Sequence, residues 1–191
     1  MGFVEVSLLA YPCVIYARWK VLKKCDTDPD EFIFRIVCGK ARVTPAPRSE
    51  ISGFLILTRL LKVGIDAMEY KPSLVNLAVD SQCSISALQK SGGLLAPYFA
   101  SRVSESVSNL PHLLDDILVD PIQRVPGPMN PADIPPDDVR HGSVWQDGPN
   151  YLRLPQEAWP FSRKFLDEDP DQEMRAPKAL LNSIIVKGWK C

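Results

Sequence analysis

Histidine and paired cysteine are scarce in this chain, and their scarcity removes several chemistries at once. The two histidines, His112 and His141, are not arranged as zinc partners. The five cysteines, Cys13, Cys25, Cys38, Cys83 and Cys191, are odd in number, widely spaced and form no CxxC pair. They read as reduced thiols of an intracellular protein, in the cytoplasm or the nucleus. Catalysis through a histidine base or a cysteine nucleophile is a poor fit. No apolar run is long enough to cross a bilayer, so no membrane is expected among the partners. The start, MGFVEV, has neither a signal-peptide pattern nor the Ser or Thr of a myristoylation site. Charge of one sign is missing too: 22 basic against 23 acidic residues leave a net charge of −1. That total does not advertise a nucleic-acid binder, although a local basic strip can coexist with a neutral sum.

At 191 residues and 46% hydrophobic, the chain suits one core-forming domain with a trailing appendage. Phe3–Ser7 alternates, with Val4 and Val6 on one face and Phe3, Glu5 and Ser7 on the other. A turn through Ala10–Pro12 is expected to lead into a second strand, Cys13–Trp19, and Glu31–Thr44 alternates as a third. Three strands with short links predict an antiparallel meander. Thr44-Pro45-Ala46-Pro47 then opens a helix whose apolar stripe is Phe54, Leu57, Leu61, Ile65 and Met68. A fourth strand, Val75–Asp80, runs into another helix, and Gly92-Gly93 precedes a further helix through Leu95, Phe99, Val103 and Val107. Pro121–Pro126 supplies a last short strand, and Trp145–Pro160 is rich in aromatics and proline without clear periodicity. The order β-β-β-α-β-α-α-β predicts an α/β fold with a mixed sheet, antiparallel on one side and parallel on the other.

Four acidic residues fall at informative places in that layout. Glu5 lies in the first strand, Glu50 on the apolar stripe of the first helix, Asp80 where the fourth strand stops, and Asp133 after the last strand. Carboxyl ends of strands are where α/β sheets build their sites. Simpler readings stand beside this one: Asp80 can help to start the next helix, and Glu50 can be a solvated first-turn carboxylate. If the first and fourth strands are neighbours, Glu5 and Asp80 approach each other beneath the turn carrying Glu50. Converging carboxylates repel unless a cation neutralises them. An all-oxygen donor set favours Mg²⁺ or Mn²⁺, the ions of two-metal phosphoryl chemistry.

The segments AYPCVIYAR, KARVTP, PRSEISGFLILTRLL, LAVDSQCSISAL, YFASRVSES, QRVPGPMNPADIP and VWQDGPNYLRLPQEAWP follow one another over roughly residues 3–165. In that order they resemble the ribonuclease H-like domain of Bel/Pao-type LTR retrotransposon polyproteins, a region also labelled Pao retrotransposon peptidase. The resemblance implies a ribonuclease H-like α/β fold with a five-stranded mixed sheet of order 3-2-1-4-5, flanked by helices. It implies cleavage of RNA in RNA–DNA hybrids with two Mg²⁺ (or Mn²⁺) ions. Carried over residue by residue, Glu50 in PRSE, Asp80 in LAVDS and Asp133 in NPAD correspond to catalytic metal ligands, and Glu5 to the first-strand ligand. Arg42, Arg48 and Arg102, with Lys40, are candidates for phosphate contact, against the simpler reading of solvated surface charge. The expected partner is an RNA–DNA hybrid or other nucleic acid. Reverse transcriptase and integrase regions accompany the domain in the parent family and are expected to be absent here.

Several positions depart from the family pattern. Glu5 stands where an aspartate is usual in the family, and its extra methylene moves the oxygens by more than about an ångström, a displacement that can cost on the order of a hundredfold in rate. Pro12 replaces a usual glycine, the stretch before PRSE is short, and NPADIP runs into PDDVRHG in place of the usual turn. Two alternatives to a hybrid nuclease therefore arise. One is a nucleic-acid-binding or structural remnant that no longer cleaves. The other, an aspartic peptidase, needs an Asp-Thr/Ser-Gly pair, whereas Asp80-Ser81-Gln82 lacks the glycine and has no second copy. The expected organisation is a domain over 1–140, a Trp/Pro-rich extension packing on it over 141–166, and an acidic tail over 167–191.

Overall fold

The computed structural model describes residues 1–6, 10–23, 25–43, 50–81, 97–110, 117–119, 122–133 and 144–162. The chain forms β1 (Gly2–Val4), β2 (Ala10–Lys20), β3 (Phe32–Val43), α1 (Glu50–Ala67), β4 (Leu74–Val75), β5 (Leu77–Val79), α2 (Pro97–Asn109), β6 (Leu118–Val119) and β7 (Gln123–Arg124). This is an α/β architecture with a five-stranded mixed sheet of order β3-β2-β1-β5-β7. β1–β2 and β2–β3 are antiparallel, whereas β1–β5 and β5–β7 are parallel. The main sheet has the expected five strands, but its strand order differs from the expected 3-2-1-4-5. The expected strand Val75–Asp80 is broken at Asn76, and its first piece, β4, leaves to pair with β6 in a separate two-stranded sheet.

β2 also begins earlier than expected, since Ala10–Pro12 is strand and not turn. Pro12 pairs with Ala41 and its carbonyl accepts from the Glu5 N–H at 3.0 Å. Its missing N–H faces β1 where that ladder stops, a position a strand proline can occupy. A register shift between Ile15 and Tyr16 leaves Val37 as an extra residue of β3, a bulge that twists the long hairpin.

The sheet buries both faces because β1 and β5 are apolar at every position. On one face Val4, Cys13, Ile15, Leu77 and Val79 meet Phe54, Leu57, Leu61 and Ile65 of α1. Met68, the last residue expected on that stripe, falls beyond the helix end. α2 packs on α1 through Val103 and Ser106, while Val107 is exposed rather than buried as its spacing suggested. The small Ser106, with Asn109 donating to the Thr58 hydroxyl at 3.3 Å, lets the helices approach closely.

The second face is covered by residues 144–162. Leu152 and Trp159 join Phe3, Val14, Tyr16, Phe34, Ala78 and Val125 in one core, with Phe161 edge-on to Phe3 at 6.1 Å. Tyr16 donates to the Trp145 carbonyl at 2.5 Å, and Arg18 donates to the carbonyls of Leu152 and Leu154 at 2.8 and 2.6 Å. The Arg18 guanidinium lies 3.4 Å above the Phe32 ring, so this strand-borne cation acts as a clasp. Gly148, at φ 69°, passes so close to Phe34 that a Cβ would sit 2.2 Å from its ring. The covering segment is one helical turn, Val144–Asp147, and two 3₁₀ turns preceded by Pro149 and Pro155. Among the described residues no helix is long and apolar enough to cross a membrane.

Candidate carboxylate site

The parallel pairing of β1 and β5 sets the site. Val4 lies opposite Val79, so Glu5 and Asp80 follow side by side at the carboxyl ends of adjacent strands. Strand alternation turns both toward the face of Phe3 and Ala78 rather than toward α1. Glu5 is only 9% exposed, and Asp80 is half-buried. The Glu5 carboxyl is pushed up from 4.5 to about 8. Burial is the largest cause, followed by a hydrogen bond with Asp80 and repulsion from its charge, with the Val6 N–H opposing and Asp133 adding repulsion. At neutral pH the pair therefore holds a proton between two carboxyl groups.

Asp133 reaches this edge through a tight turn. After β7 the chain makes a 3₁₀ turn, Gly127–Met129, and Asp133 N–H donates to the Asn130 carbonyl at 3.0 Å. Asp133 is exposed, and its Oδ2 lies 3.9 Å from where a Cβ on Gly127 would stand. Asn130 was not singled out in the sequence. It is 3% exposed, and its Nδ2 donates to the Val4 carbonyl at 3.0 Å and to Glu5 Oε2 at 3.1 Å. Arg124, also missed, donates from Nε to the Asp80 carbonyl at 3.2 Å. A buried amide in a proline-flanked turn leaves no periodic signal; only the tertiary position of the turn reveals it.

Glu50 is the first residue of α1, and its side chain lies outside the described ones. The helix start is fixed by Gly53, where a Cβ would meet Val6 Cγ2 at 2.8 Å and Val4 Cγ2 at 3.1 Å. Leu57, one turn on, lies against Gly2, so α1 runs opposite to β1 and begins at the edge where Glu5 lies. Cys13 Sγ donates to the Gly53 carbonyl at 3.6 Å, a further tie at this crossing.

Of the basic candidates, Arg42 is exposed near the end of β3, opposite Tyr11, with exposed Lys40 opposite Cys13. β3 runs parallel to β1, so both stand toward the same sheet edge as Glu5. Arg48 lies outside the described residues. Arg102 belongs to α2. Its guanidinium stacks 3.5 Å from the Tyr98 ring, Nε donates to Ser52 Oγ at 3.1 Å, and Nη1 donates to the Tyr98 carbonyl at 3.0 Å. These contacts hold it beside the first turn of α1.

The donor type suits a hard divalent cation: the facing groups are carboxylates, and a cation would relieve the repulsion between Glu5, Asp80 and Asp133. Among the described residues, however, no group of three or more His, Cys, Asp and Glu side chains is spaced to hold a metal ion. The described geometry thus supplies a close pair, Glu5 and Asp80, with Asp133 near enough to be felt electrostatically. No family model, curated protein or solved structure matches the chain.

Proposed function

We propose that the chain is a ribonuclease H-like domain derived from a Bel/Pao-type retrotransposon, and that it cleaves RNA in RNA–DNA hybrids using divalent cations. One observation carries the reading. The carboxylates of Glu5 and Asp80, singled out with Asp133 in the sequence, meet at the ends of two adjacent parallel strands, with Asp133 adding its charge. Glu5, Asp80 and Asp133, with Glu50 as the further ligand that the resemblance alone implies, would hold Mg²⁺ or Mn²⁺, which in such sites activates a water and steadies a leaving oxygen. The chain's own part is to exclude water around Glu5, to hold the proton shared with Asp80 while no cation is bound, and to present cations at the rim. The ordered segments that resemble the Bel/Pao domain support the same reading.

A nucleic acid suits the rim in charge. Arg42 and Lys40 stand toward the site edge, and Arg102 is ordered by stacking and hydrogen bonding beside α1. Guanidinium groups held in this way are suited to phosphate oxygens.

A second reading, a nucleic-acid-binding remnant without cleavage, is favoured by one feature. Glu5 is engaged by Asn130 and by Asp80 at once, so its longer side chain is already committed within the protein. A hybrid-cleavage assay with Mg²⁺ and with Mn²⁺ separates the two. Cleavage by the native chain that Asp80→Asn abolishes supports the nuclease. Cleavage in Glu5→Asp alone supports a domain disabled at that strand. Undiminished cleavage in Asp80→Asn refutes the site assignment.

A further inference from the structure

The turn after β7 is hydrogen-bonded to the end of β1 by the side chain of Asn130, which is neither charged nor part of the acidic set. Asn130 spends both ends of its amide. Nδ2 donates to the Val4 carbonyl at 3.0 Å and to Glu5 Oε2 at 3.1 Å, while Oδ1 accepts from the Ala132 N–H at 3.1 Å. Its backbone is engaged as well: its N–H donates to the Gly127 carbonyl at 2.9 Å, and its carbonyl accepts from Asp133 N–H at 3.0 Å. Asn130 is thus bonded on one side to the strand end that carries Glu5 and on the other to the turn that carries Asp133.

The bond to Val4 has a reason in the sheet. Residues Gly2–Val4 are ladder-paired on both sides, but the strand ends there, and the Val4 carbonyl is buried at its last position. A side-chain donor satisfies this buried carbonyl at the strand's last position. Because the same nitrogen also reaches Oε2, the Glu5 carboxylate is held in rotation by a group already locked to the backbone. Glutamate has one more torsion than aspartate, and this bond restrains it.

We infer that Asn130 is a positioning residue: it fixes the Glu5 carboxylate and the Asp133 turn relative to each other, acting through them and not on a substrate. The inference deepens the reading proposed above and rests on it for its functional consequence, although the clamp itself can be tested without metal. Groups that orient a ligand are typically worth 10–100-fold in metal affinity.

The test uses the full chain. The side-chain amide resonances of Asn130 are followed by ¹⁵N–¹H NMR in native protein and in Glu5→Ala, without added metal. Mn²⁺ binding is measured by the loss of the free-ion EPR signal in native protein and in Asn130→Ala. The inference predicts that Glu5→Ala shifts the Asn130 Nδ2 protons and speeds their exchange, and that Asn130→Ala weakens Mn²⁺ binding at least tenfold. Amide resonances that Glu5→Ala leaves unmoved would overturn it, and this arm holds even if Asn130→Ala does not fold. Native affinity in folded Asn130→Ala would overturn it as well. Failure of the native chain to bind Mn²⁺ sinks the metal reading instead, and the amide resonances still decide the clamp.

Discussion

Replacing Asp80 by asparagine should stabilise this protein at alkaline pH when no cation is present. The native state keeps a proton on Glu5 up to about pH 8, whereas the unfolded chain releases it near 4.5. Between those values the native state binds more protons than the unfolded one, so stability falls as pH rises through the window. Asp80 supplies the second and third causes of that elevation, after burial. At ~1.4 kcal/mol per pH unit, relieving that part of the elevation is worth on the order of 1–2 kcal/mol to Asp80→Asn at pH 9. In a domain of this size that is a rise in Tm of roughly 3–6 °C. At pH 5, where Glu5 is protonated in the native protein, the variant exchanges the carboxyl partner of Glu5 for an amide and should gain nothing. The assay is thermal unfolding followed by circular dichroism in EDTA at both pH values. Equal effects at pH 5 and pH 9, or a loss of stability at pH 9, would refute the account of Glu5 and Asp80 as a repelling pair. With saturating Mg²⁺ the order should invert, because a ligand that binds only the native state stabilises the native chain alone.

Gly148→Ala should cost about 2–4 kcal/mol, seen as a lowered urea midpoint, because a Cβ at φ 69° would stand 2.2 Å from the Phe34 ring. Arg18→Ala removes two hydrogen bonds and the stacking on Phe32, so it should cost roughly 2–3 kcal/mol. Limited proteolysis of that variant should cut first within residues 144–162. Arg102→Ala should raise KM for a hybrid severalfold with little change in kcat, and the loss should shrink at high salt, as for a phosphate contact.

The alternation of Phe3–Glu5 and the stripe Phe54, Leu57, Leu61, Ile65 were legible in the sequence because periods of two and 3.6 survive in a well-covered sheet and helix. The period of two also puts Glu5 on the face of Phe3, whereas its place level with Asp80 comes from the parallel register of β1 with β5. Elsewhere tertiary context prevailed. Val107 has the spacing of a core residue, yet the close approach of α2 to α1 selects Ser106 instead. Pro12 looks like a turn residue, but it fits within β2 because the donor it lacks faces the end of β1. The stretch Trp145–Pro160 shows no period because its turns are three or four residues long, the two 3₁₀ turns each entered from a proline, so no face repeats. It nevertheless contributes Leu152 and Trp159 to the core on the second face of the sheet. Asn130 was invisible for a related reason: its role depends on a contact with residues 126 and 125 positions away along the chain.

In the proposed function, the carboxylates gathered at the ends of β1 and β5 serve cation-dependent cleavage of the RNA strand of a hybrid. The direct measurement is single-turnover incubation of native protein with hybrids labelled on either strand, in Mg²⁺, in Mn²⁺ and in EDTA, beside Asp80→Asn. The account predicts RNA fragments with either cation, none in EDTA or with Asp80→Asn, and an intact DNA strand throughout. RNA cleavage that persists in EDTA, or that Asp80→Asn leaves at the native rate, would contradict it.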